Sequence, residues 1–428
     1  MNSKGLKHLG LLLGLLVMIT SCEKELNLNS DNLDNSELIE RQIAGERVCG
    51  MDSHMDLLLQ DPSYVKKHMA KFDRLETVVS NRADCADKVI IPVAIHYQRI
   101  RNADITCLRE QALDQIRILN EDYSGTNADI SEWNAISNQF SAANGETCIE
   151  FCIATKNHPG GYGLSDGDLA VTLNETRGDS DRNWSGYLNI FVRDIQYLGY
   201  SPLGGDGDGD GVVVDNNAFA SISCNGAQLG STYNLGRTLT HELGHYLLLP
   251  HIWGGGCGSD DGINDTPDSN GPYYGCPNVG VSTCGSTDMH MNYMDYVDDA
   301  CMYMFSSGQS NRMEGYVSSS LQDLAANASN VCGEVGPPPP PPPGSDCTVP
   351  TGLSASVNKK KVTLSWDNQV GASFDVRYKR VNDSNWTTIS TSGNSTTLNG
   401  VKSGSYEFQV RANCGETTAW SNSFNYST

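Results

Sequence analysis

The sequence predicts an α+β domain followed by a separate all-β domain. Up to about residue 333, apolar runs of strand length are mixed with segments of helical periodicity. An unbroken proline run, Pro337–Pro343, then interrupts the chain, and polyproline forms a stiff, extended spacer. Beyond it, residues 347–428 consist of short alternating segments rich in Thr, Ser, Val and Tyr, which is typical of antiparallel strands.

Composition limits the class of protein. The 428 residues are enough for two or three domains, and 38% hydrophobic against 19% charged residues indicates a globular chain. The 51 acidic and 29 basic side chains give a formal net charge of -22. Such a surface repels nucleic acid and favours divalent cations, so no nucleic-acid partner is expected.

The N-terminus indicates export. Lys4 and Lys7 precede an apolar run, Leu9–Ile19, that is too short to span a bilayer comfortably. The run leads through small residues to Cys22 and resembles a bacterial lipobox, which implies a lipoprotein signal peptide at residues 1–22 and a lipidated Cys22. We therefore expect a lipid anchor in the outer membrane or at the cell surface. Release of the protein from the cell is the alternative location. An ordinary signal peptide or a buried helix is the alternative.

The next two regions differ in polarity. Residues 23–82 are polar and charged, and we expect them to form a tether and propeptide. Residues 83–333 are denser and contain the predicted α+β domain, in which an early helix packs on the sheet. The expected strands include Val89–Ile95, Tyr187–Ile195 and Val212–Val214, and the expected helices are Cys107–Leu119 and Leu235–Leu248.

Residues 334–346 form the polyproline linker, for which a role as a ligand of aromatic grooves is the less favoured interpretation. In residues 347–428, the strand spacing, the early Trp366 and the strand around Tyr406 resemble a fibronectin type III sandwich. That resemblance implies the fold and leaves the ligand open.

The strongest functional signal is the segment His241-Glu242-Leu243-Gly244-His245. On a helix, residues four apart share a face, so both imidazoles can bind one metal while Glu242 faces the remaining position. His251 follows Pro250, which ends helical geometry and lets the chain return. Three neutral imidazoles and a water form an open, catalytic type of zinc site, with the carboxylate as general base. A helix whose histidines merely cap a core is the alternative.

Further motifs accompany this segment: Tyr187–Val192, Asn234–Thr238, Asp265–Pro267, Asn292–Tyr296 and Gly308–Met313. With them, the stretch from about Ile90 to Met313 resembles the metzincin clan of metallopeptidases and, within it, the pappalysin family. The resemblance implies a metzincin-type catalytic domain, in which a twisted sheet carries a backing helix and an active-site helix. It also implies zinc ligation by the three histidines and Glu242 as general base. By the same resemblance, Met294 is the methionine-turn residue beneath the metal and Tyr296 hydrogen-bonds the tetrahedral intermediate.

One residue departs from the family pattern. The family has glycine at the position of Leu248, where the active-site helix ends and the backbone commonly turns left-handed. An L-residue in that conformation costs about 1–2 kcal/mol, a strain that a large domain tolerates. We expect a shift of His251 without loss of activity, because the three histidines and Glu242 are all present.

The tetrapeptide Arg47-Val48-Cys49-Gly50 lies within residues 23–82, which we call the leader. Its cysteine can account for an odd number of cysteines in the chain. The chain has 14 cysteines, and an odd number remains for disulfides once Cys22 is assigned to lipid. A thiolate binds zinc well and displaces the catalytic water. Because related proenzymes carry such a cysteine switch, the resemblance implies latency through Cys49, with a structural disulfide as the alternative. Processing is expected near Arg82–Lys88.

The remaining cysteines are expected to form disulfides. The pappalysin resemblance implies the pairs Cys257–Cys284 and Cys276–Cys301, and Cys347 is expected to pair with Cys414 within the sandwich. The sequence leaves the pairing of six others open. These are Cys85, Cys107, Cys148, Cys152, Cys224 and Cys332.

Asp206, Asp208 and Asp210 place a carboxylate at every second residue, like the first half of an EF-hand loop that binds Ca²⁺ through oxygen atoms. The twelfth position holds Asn217 where glutamate is expected, so a solvated acidic loop is an equal alternative.

Other acidic residues rest on the resemblance or on their position. Asp261, Asp265 and Thr266 occupy a segment in which pappalysin relatives have structural calcium. Asp298 and Asp299 follow the methionine turn and are expected near the pocket for the primed side of the substrate, where they would favour basic residues. A solvated turn is the alternative for this pair.

The sequence thus predicts a zinc endopeptidase, made as a latent proenzyme, that acts on extracellular proteins or peptides. The alternative is a catalytically dead surface adhesion or binding lipoprotein that acts through its fibronectin-like module, with Leu248 as the damaging residue. A zinc amidase acting on cell-wall peptides is a third, weaker interpretation.

Overall fold

The computed structural model describes residues 47–75, 85, 88–100, 103–175, 178–224, 229, 232–333, 348–358, 360–367, 373–391, 395–398, 400–414 and 416–428. The predicted signal peptide with Cys22, the polyproline linker, Arg82 and Cys347 lie outside this part of the chain.

A six-stranded sheet forms the centre of the first domain. Its strands are β1 (Val89–Gln98), β2 (Ile149–Ile153), β3 (Val171–Glu175), β4 (Leu188–Arg193), β5 (Gly199–Tyr200) and β6 (Gly211–Asp215). The order is β2-β1-β4-β6-β5, and β3 pairs with the second half of β1. All these pairings are parallel except that of β5 with β6, so the sheet has an antiparallel strand at one edge. Apolar runs such as that of β6, buried at every position, are typical of parallel strands covered on both faces.

Seven α-helices of the described residues accompany the sheet. They are α1 (Met51–Leu58), α2 (Pro62–Leu75), α3 (Ile105–Tyr123), α4 (Ile130–Ile136), α5 (Arg237–Tyr246), α6 (Ser307–Ser320) and α7 (Gln322–Val331). Helix α3 begins at Asp104, whose carboxylate accepts hydrogen bonds from the backbone N–H groups of Thr106 and Cys107. It contacts β2, β3 and α5, so it is the predicted early helix that packs on the sheet. Helix α7 contacts β1, and one apolar core joins these elements. The domain therefore has the mixed α and β composition that the sequence predicts.

The leader residues 47–75 pack against the first domain. Helix α1 contacts β5 and helix α2 contacts α6. Met51 and Met55 of α1 are buried in the main core. The leader therefore contains two helices that cover part of the domain.

The C-terminal residues form a β domain of two antiparallel sheets. Its strands are β7 (Ser354–Asn358), β8 (Lys361–Ser365), β9 (Ser373–Arg380), β10 (Thr387–Thr391), β11 (Ser395–Leu398), β12 (Ser405–Cys414), β13 (Glu416–Thr417) and β14 (Phe424–Ser427). One sheet has the order β11-β8-β7 and the other β10-β9-β12-β13, with β14 also paired to β12. Trp366, Phe374 and Phe408 lie in a core of their own, as expected for alternating strands that bury one face.

Five disulfides join described cysteines. Cys257 bonds to Cys284 and Cys276 to Cys301, which are the pairs that the family resemblance implied. The pairs that the sequence left open are Cys85–Cys148, Cys107–Cys224 and Cys152–Cys332. The pair Cys347–Cys414 stays a prediction, because Cys347 is outside the described residues.

A search of the described helices for a membrane span found none that is both long and apolar enough.

Candidate zinc and active site

The candidate site is built on helix α5, all of whose residues are buried. The helix begins after Gly236, whose φ of 75° is left-handed and suits glycine. Asp299 accepts hydrogen bonds from the backbone N–H groups of Leu235 (2.9 Å) and Arg237 (3.4 Å), in a region where helix geometry leaves donors unpaired. A buried carboxylate at the positive end of the helix therefore stabilises its first turn.

The other end of α5 is held by the loop that follows β5. The N–H groups of Gly204 and Gly205 donate to the carbonyls of His245 and Tyr246, each at 2.8 Å. A Cβ atom on Gly205 would lie 2.0 Å from the Tyr246 ring, so this approach requires glycine. The loop therefore fixes the helical turn that carries the second histidine of the motif.

The imidazoles of His241, His245 and His251 converge. The Nε2 atom of His245 lies 3.1 Å from that of His241 and 3.2 Å from that of His251. Ligand nitrogens ~2.0–2.1 Å from one tetrahedral zinc ion lie ~3.3 Å apart, so this spacing fits zinc. The Nδ1 atoms of His241 and His245 lie 2.7 and 2.6 Å from the carbonyls of Tyr293 and Leu249. Protonated Nδ1 atoms donate to these carbonyls, which leaves Nε2 as the metal-binding nitrogen on both rings.

Burial keeps these imidazoles neutral. Desolvation lowers the pKa of His245 and of His251 to about 3, and for His245 the neighbouring His251 adds to the effect. Desolvation, followed by the charges of the neighbouring histidines, lowers the pKa of His241 well below its usual value. The neutral imidazole is the form that binds a metal, so the ligands are in the correct state near neutral pH.

Leu248 has the left-handed backbone that the family pattern predicts, with a φ of 72°. Its side chain is completely buried, so apolar packing offsets part of the strain. The N–H groups of Leu248 and Leu249 donate to the carbonyls of His245 and Gly244, which closes the end of the helix. Because Nε2 of His251 still lies 3.2 Å from that of His245, the expected shift of His251 does not separate it from the other ligands.

Glu242 lies between the histidines and the edge strand β5. A Cβ atom on Gly199 would lie 2.7 Å from Cγ of Glu242, so the strand must have glycine there. The carboxylate is 1% exposed, and this burial raises its pKa to about 8, against the opposing effects of the Cys49 thiol and Arg47. A carboxylate with a pKa near the ambient pH is suited to accept and return a proton.

Met294 and Tyr296 both lie at the site. A Cβ atom on Gly244 would be 2.4 Å from Sδ of Met294, so the glycine of the histidine motif makes room for the methionine. The ring of Tyr296 is centred 5.0 Å from that of His251 and 5.7 Å from that of His241. Burial raises the pKa of Tyr296 well above its usual value, so its hydroxyl keeps its proton and can donate a hydrogen bond.

Cys49 of the leader lies at the same point. Its Sγ atom and one ring nitrogen from each of the three histidines all lie within 4.8 Å of one another. The thiol lies 3.5 Å from Oε2 of Glu242, and Cys49 is the free cysteine among those described. Backbone hydrogen bonds from Gly50 N to Gly199 O (2.8 Å) and from Leu198 N to Val48 O (2.9 Å) hold this segment along β5. The leader thus brings a fourth potential metal ligand to the three histidines and covers the edge of the sheet.

Arg47 inserts a buried guanidinium beside the site. It is 1% exposed and forms a 2.5 Å ion pair with Asp299. It also donates to the hydroxyl of Thr238 (3.1 Å) and the carbonyl of Val297 (3.3 Å). Asp299 therefore binds the guanidinium of the leader, and the expected role of Asp298 and Asp299 at the primed side of a substrate stays a prediction.

The acidic loop Asp206, Asp208 and Asp210 lies apart from this cluster. Asp206 forms a 2.8 Å ion pair with Lys71 of α2, and the hydroxyl of Ser185 donates to Asp208. Asp210 accepts hydrogen bonds from two backbone N–H groups and from the hydroxyl of Tyr246. Each carboxylate thus has a protein donor, and calcium at this loop stays a prediction.

The second group of predicted calcium ligands is also engaged by protein donors. Asp261 accepts a hydrogen bond from the hydroxyl of Thr266 (2.8 Å), and burial raises its pKa to about 7. Asp265 accepts hydrogen bonds from Ser306, Ser307 and the N–H of Gly308 at the start of α6. Calcium binding by these residues also stays a prediction.

Three residues that contribute to the site or its surroundings were not predicted from the sequence: Gly199, Lys71 and Trp253. Gly199 and Lys71 are remote from the motif in the chain, and only the fold brings them to it. Trp253 offers the one local signal, an aromatic residue close after the last ligand, and its indole stacks on His251.

Comparison with known proteins adds a family relationship. The peptidase M43 family model, described as pregnancy-associated plasma protein-A, matches residues 178–318. An extracellular metalloprotease of Colletotrichum graminicola is 30% identical over 290 residues, which cover 64% of this chain and 91% of that protein. Extracellular metalloprotease 1 of Coccidioides posadasii is 34% identical over 209 residues, which cover 47% of this chain and 66% of that protein. An extracellular metalloprotease of Verticillium alfalfae is 48% identical over 135 residues, 29% of this chain. The chain spans 66% and 48% of the lengths of the last two proteins.

Among solved structures, the chain is similar to a promirolysin mutant of Tannerella forsythia. The TM-score is 0.53 at 28% sequence identity, and the match covers 67% of this chain and 100% of that one.

Proposed function

Since this chain belongs to the pappalysin family of metallopeptidases (M43), we propose that it is a zinc-dependent endopeptidase that hydrolyses peptide bonds of extracellular proteins. The observation that carries the proposal is the convergence of three buried, neutral imidazoles beside the buried carboxylate of Glu242. A structural zinc site would be closed by four protein ligands, whereas here the fourth one, Cys49, belongs to a leader segment.

In the proposed mechanism, His241, His245 and His251 hold the metal. Zinc, when bound, supplies Lewis acidity, which polarises a carbonyl and makes water acidic enough to act as a nucleophile near neutral pH. Glu242 takes a proton from the water and returns it to the leaving amine, a role that its buried position beside the three histidines supports. The hydroxyl of Tyr296 donates a hydrogen bond to the oxygen on which negative charge develops.

The edge strand β5 provides a binding surface for an extended substrate. In the described structure its backbone pairs with the leader at Val48 and Gly50. Once the leader is removed, the same backbone groups can pair with a peptide by strand addition.

We also propose that Cys49 keeps the enzyme latent. Its thiolate takes the ligand position that catalysis needs, and the leader covers β5 at the same time. Removal of the leader would open both. The name promirolysin for a similar structure is compatible with a proenzyme of this kind.

The residues around the Arg47 guanidinium, which we call the Arg47 pocket, support a preference for substrates that contain arginine. Asp299, the Thr238 hydroxyl and the Val297 carbonyl bind a guanidinium next to the metal site in the latent form. After the leader leaves, Oδ1 of Asp299 loses its guanidinium partner, while Oδ2 keeps the backbone N–H groups of Leu235 and Arg237. Peptides that place arginine in this pocket should therefore be preferred.

Several other features belong to the proposal. They are the lipoprotein signal peptide with lipidated Cys22, the domain boundaries at residues 22, 82, 333 and 346, and a fibronectin type III identity for the β domain. Export is supported by relatives that are named extracellular. Structural calcium is a further proposal.

The alternative of a dead adhesion protein depended on Leu248, and the convergence of His251 with the other ligands gives that alternative no support.

The test uses Cys49→Ala protein from which the leader has been removed by limited proteolysis, so that neither the thiol nor the strand pairing along β5 blocks the site. We expect stoichiometric zinc and hydrolysis of casein and arginine-containing peptides that a chelator abolishes. Glu242→Ala should lower turnover about 10²–10⁴-fold with zinc retained, while Glu110→Ala, an exposed change on α3, should have no effect. Protein without zinc, or equal turnover with and without Glu242, would contradict the proposal.

A further inference from the structure

We propose that Trp253 is a positioning residue that holds the third zinc ligand, His251, in its binding orientation. The inference rests on the proposed zinc site and adds a residue to it. The three ligands differ in how their rings are held.

Two of the ligands are doubly fixed. His241 and His245 lie on helix α5, and the Nδ1 atom of each lies within 2.7 Å of a backbone carbonyl. Such a bond sets the plane of the imidazole and keeps Nε2 aimed at the metal.

His251 has neither the helical backbone nor the bond from Nδ1 to a carbonyl that holds the other two ligands. It follows Pro250 in a segment without regular secondary structure. Within the described residues, the polar group recorded next to its Nδ1 atom is Oδ2 of Asp52, at 3.8 Å, which is beyond hydrogen-bond distance. Asp52 also belongs to the leader, so a mature enzyme would lose even this neighbour.

The indole of Trp253 supplies the missing support. It lies parallel to the imidazole of His251, with ring centroids 4.4 Å apart and an interplanar angle of 6°. The N–H of Gly254 donates to the carbonyl of His251 (3.0 Å), which forms the turn that brings the two rings together. Rotation of the imidazole out of this plane would break the contact or drive the rings into each other, so the stack restrains the direction of Nε2.

The same indole also contacts the proposed hydrogen-bond donor. Trp253 is 8% exposed and lies edge-to-face with Tyr296, with ring centroids 4.8 Å apart. Tyr296 in turn meets His251 edge-to-face at 5.0 Å. The three rings therefore form one packed unit, in which the tryptophan sets the position of a ligand and of the tyrosine.

The test measures metal binding rather than turnover. In full-length Cys49→Ala protein, the zinc dissociation constant is measured by competition with a chelator, and the visible spectrum of the Co²⁺-loaded protein reports the ligand set. Trp253→Leu should weaken zinc binding about 10–100-fold and change the Co²⁺ spectrum, as expected for loss of support behind a metal ligand. Trp253→Phe, which keeps an aromatic face, should restore most of the affinity.

The matched control is Trp133→Leu. Trp133 is also buried (2% exposed), and its recorded ring contact is with Phe140 rather than with a histidine. It should lower stability without changing zinc affinity. If Trp253→Leu does not fold, Trp253→Met is measured in its place. Unchanged affinity and an unchanged Co²⁺ spectrum in the leucine or methionine variant would overturn the role of Trp253. Absence of zinc from the Cys49→Ala parent would instead overturn the proposed function, and this inference with it.

Discussion

At the scale of single residues, two glycines let chemically important side chains approach the backbone. Gly199 leaves room for Glu242, and Gly244 leaves room for Met294. The second glycine is part of the histidine motif and was visible in the sequence. Gly199 lies on strand β5, remote from the histidine motif in the chain, so no sequence pattern connected it to Glu242, the proposed general base.

Gly199→Ala tests the first of these contacts. Because the new Cβ atom would lie 2.7 Å from Cγ of Glu242, the carboxylate must move, and a displacement of this kind should lower turnover about 10²-fold. Zinc content should not change, since no ligand is involved. Gly160→Ala is the control, because no atom lies within 4 Å of the new methyl group and its φ is not left-handed. Full turnover of Gly199→Ala would show that the placement of Glu242 does not depend on this contact.

At the scale of elements, the site consists of helix α5, its two ends and the turn at Met294. The sequence predicted the helix and the convergence of its two histidines, because a spacing of four places both on one face. It could not predict the contacts at the ends, where Asp299 and the loop at Gly204 approach from distant segments. The left-handed Leu248 was predicted from the family pattern, whereas its complete burial was not.

The turn that contains Met294 provides a prediction about pH. Asp295 is buried and accepts hydrogen bonds from the N–H groups of Tyr273 and Tyr296, and burial raises its pKa to about 8. The folded protein therefore keeps a proton between about pH 4 and 8 that the unfolded chain releases, so this group makes the fold less stable as pH rises through that window.

Asp295→Asn removes this titration and should flatten the dependence of the free energy of unfolding on pH between about 4 and 8. Denaturant unfolding at several pH values measures the effect, and Asp323→Asn, at an exposed position, is the control. A pH dependence in Asp295→Asn identical to that of the wild type would contradict the assigned protonation.

At the scale of the whole molecule, the leader is attached at two separate places. Arg47 and Cys49 lie at the metal site, and Lys71 of α2 is buried against the loop after β5. The ammonium of Lys71 donates to the carbonyl of Gly204 (2.6 Å) and pairs with Asp206 (2.8 Å). That loop caps the zinc-binding helix, so the second attachment is connected to the active site.

Lys71→Met should weaken this attachment and expose Cys49 more often. We expect faster alkylation of Cys49 in the full-length, zinc-loaded protein, quantified by mass spectrometry of the peptide that contains it. Lys67→Met, at an exposed position of the same helix, should alkylate at the rate of the wild type. Equal rates in all three proteins would mean that the leader is held at the metal site alone.

The division into two domains and the family could both be predicted, because proline runs, strand alternation and the histidine motif are local patterns. The family assignment is confirmed by the comparisons. The pairing of Cys85, Cys107 and Cys152 with their partners could not be predicted, since sequence separations of 63 to 180 residues carry no local signal. The contact of Lys71 with the loop after β5 could not be predicted for the same reason.

The central claim is that a three-histidine zinc site is closed by Cys49 in the latent chain. X-ray absorption at the zinc edge of the full-length protein tests it directly. We expect three nitrogen ligands and one sulfur at about 2.3 Å, with the sulfur replaced by oxygen in Cys49→Ala. A zinc environment with no sulfur in the full-length protein, or one that Cys49→Ala leaves unchanged, would contradict it.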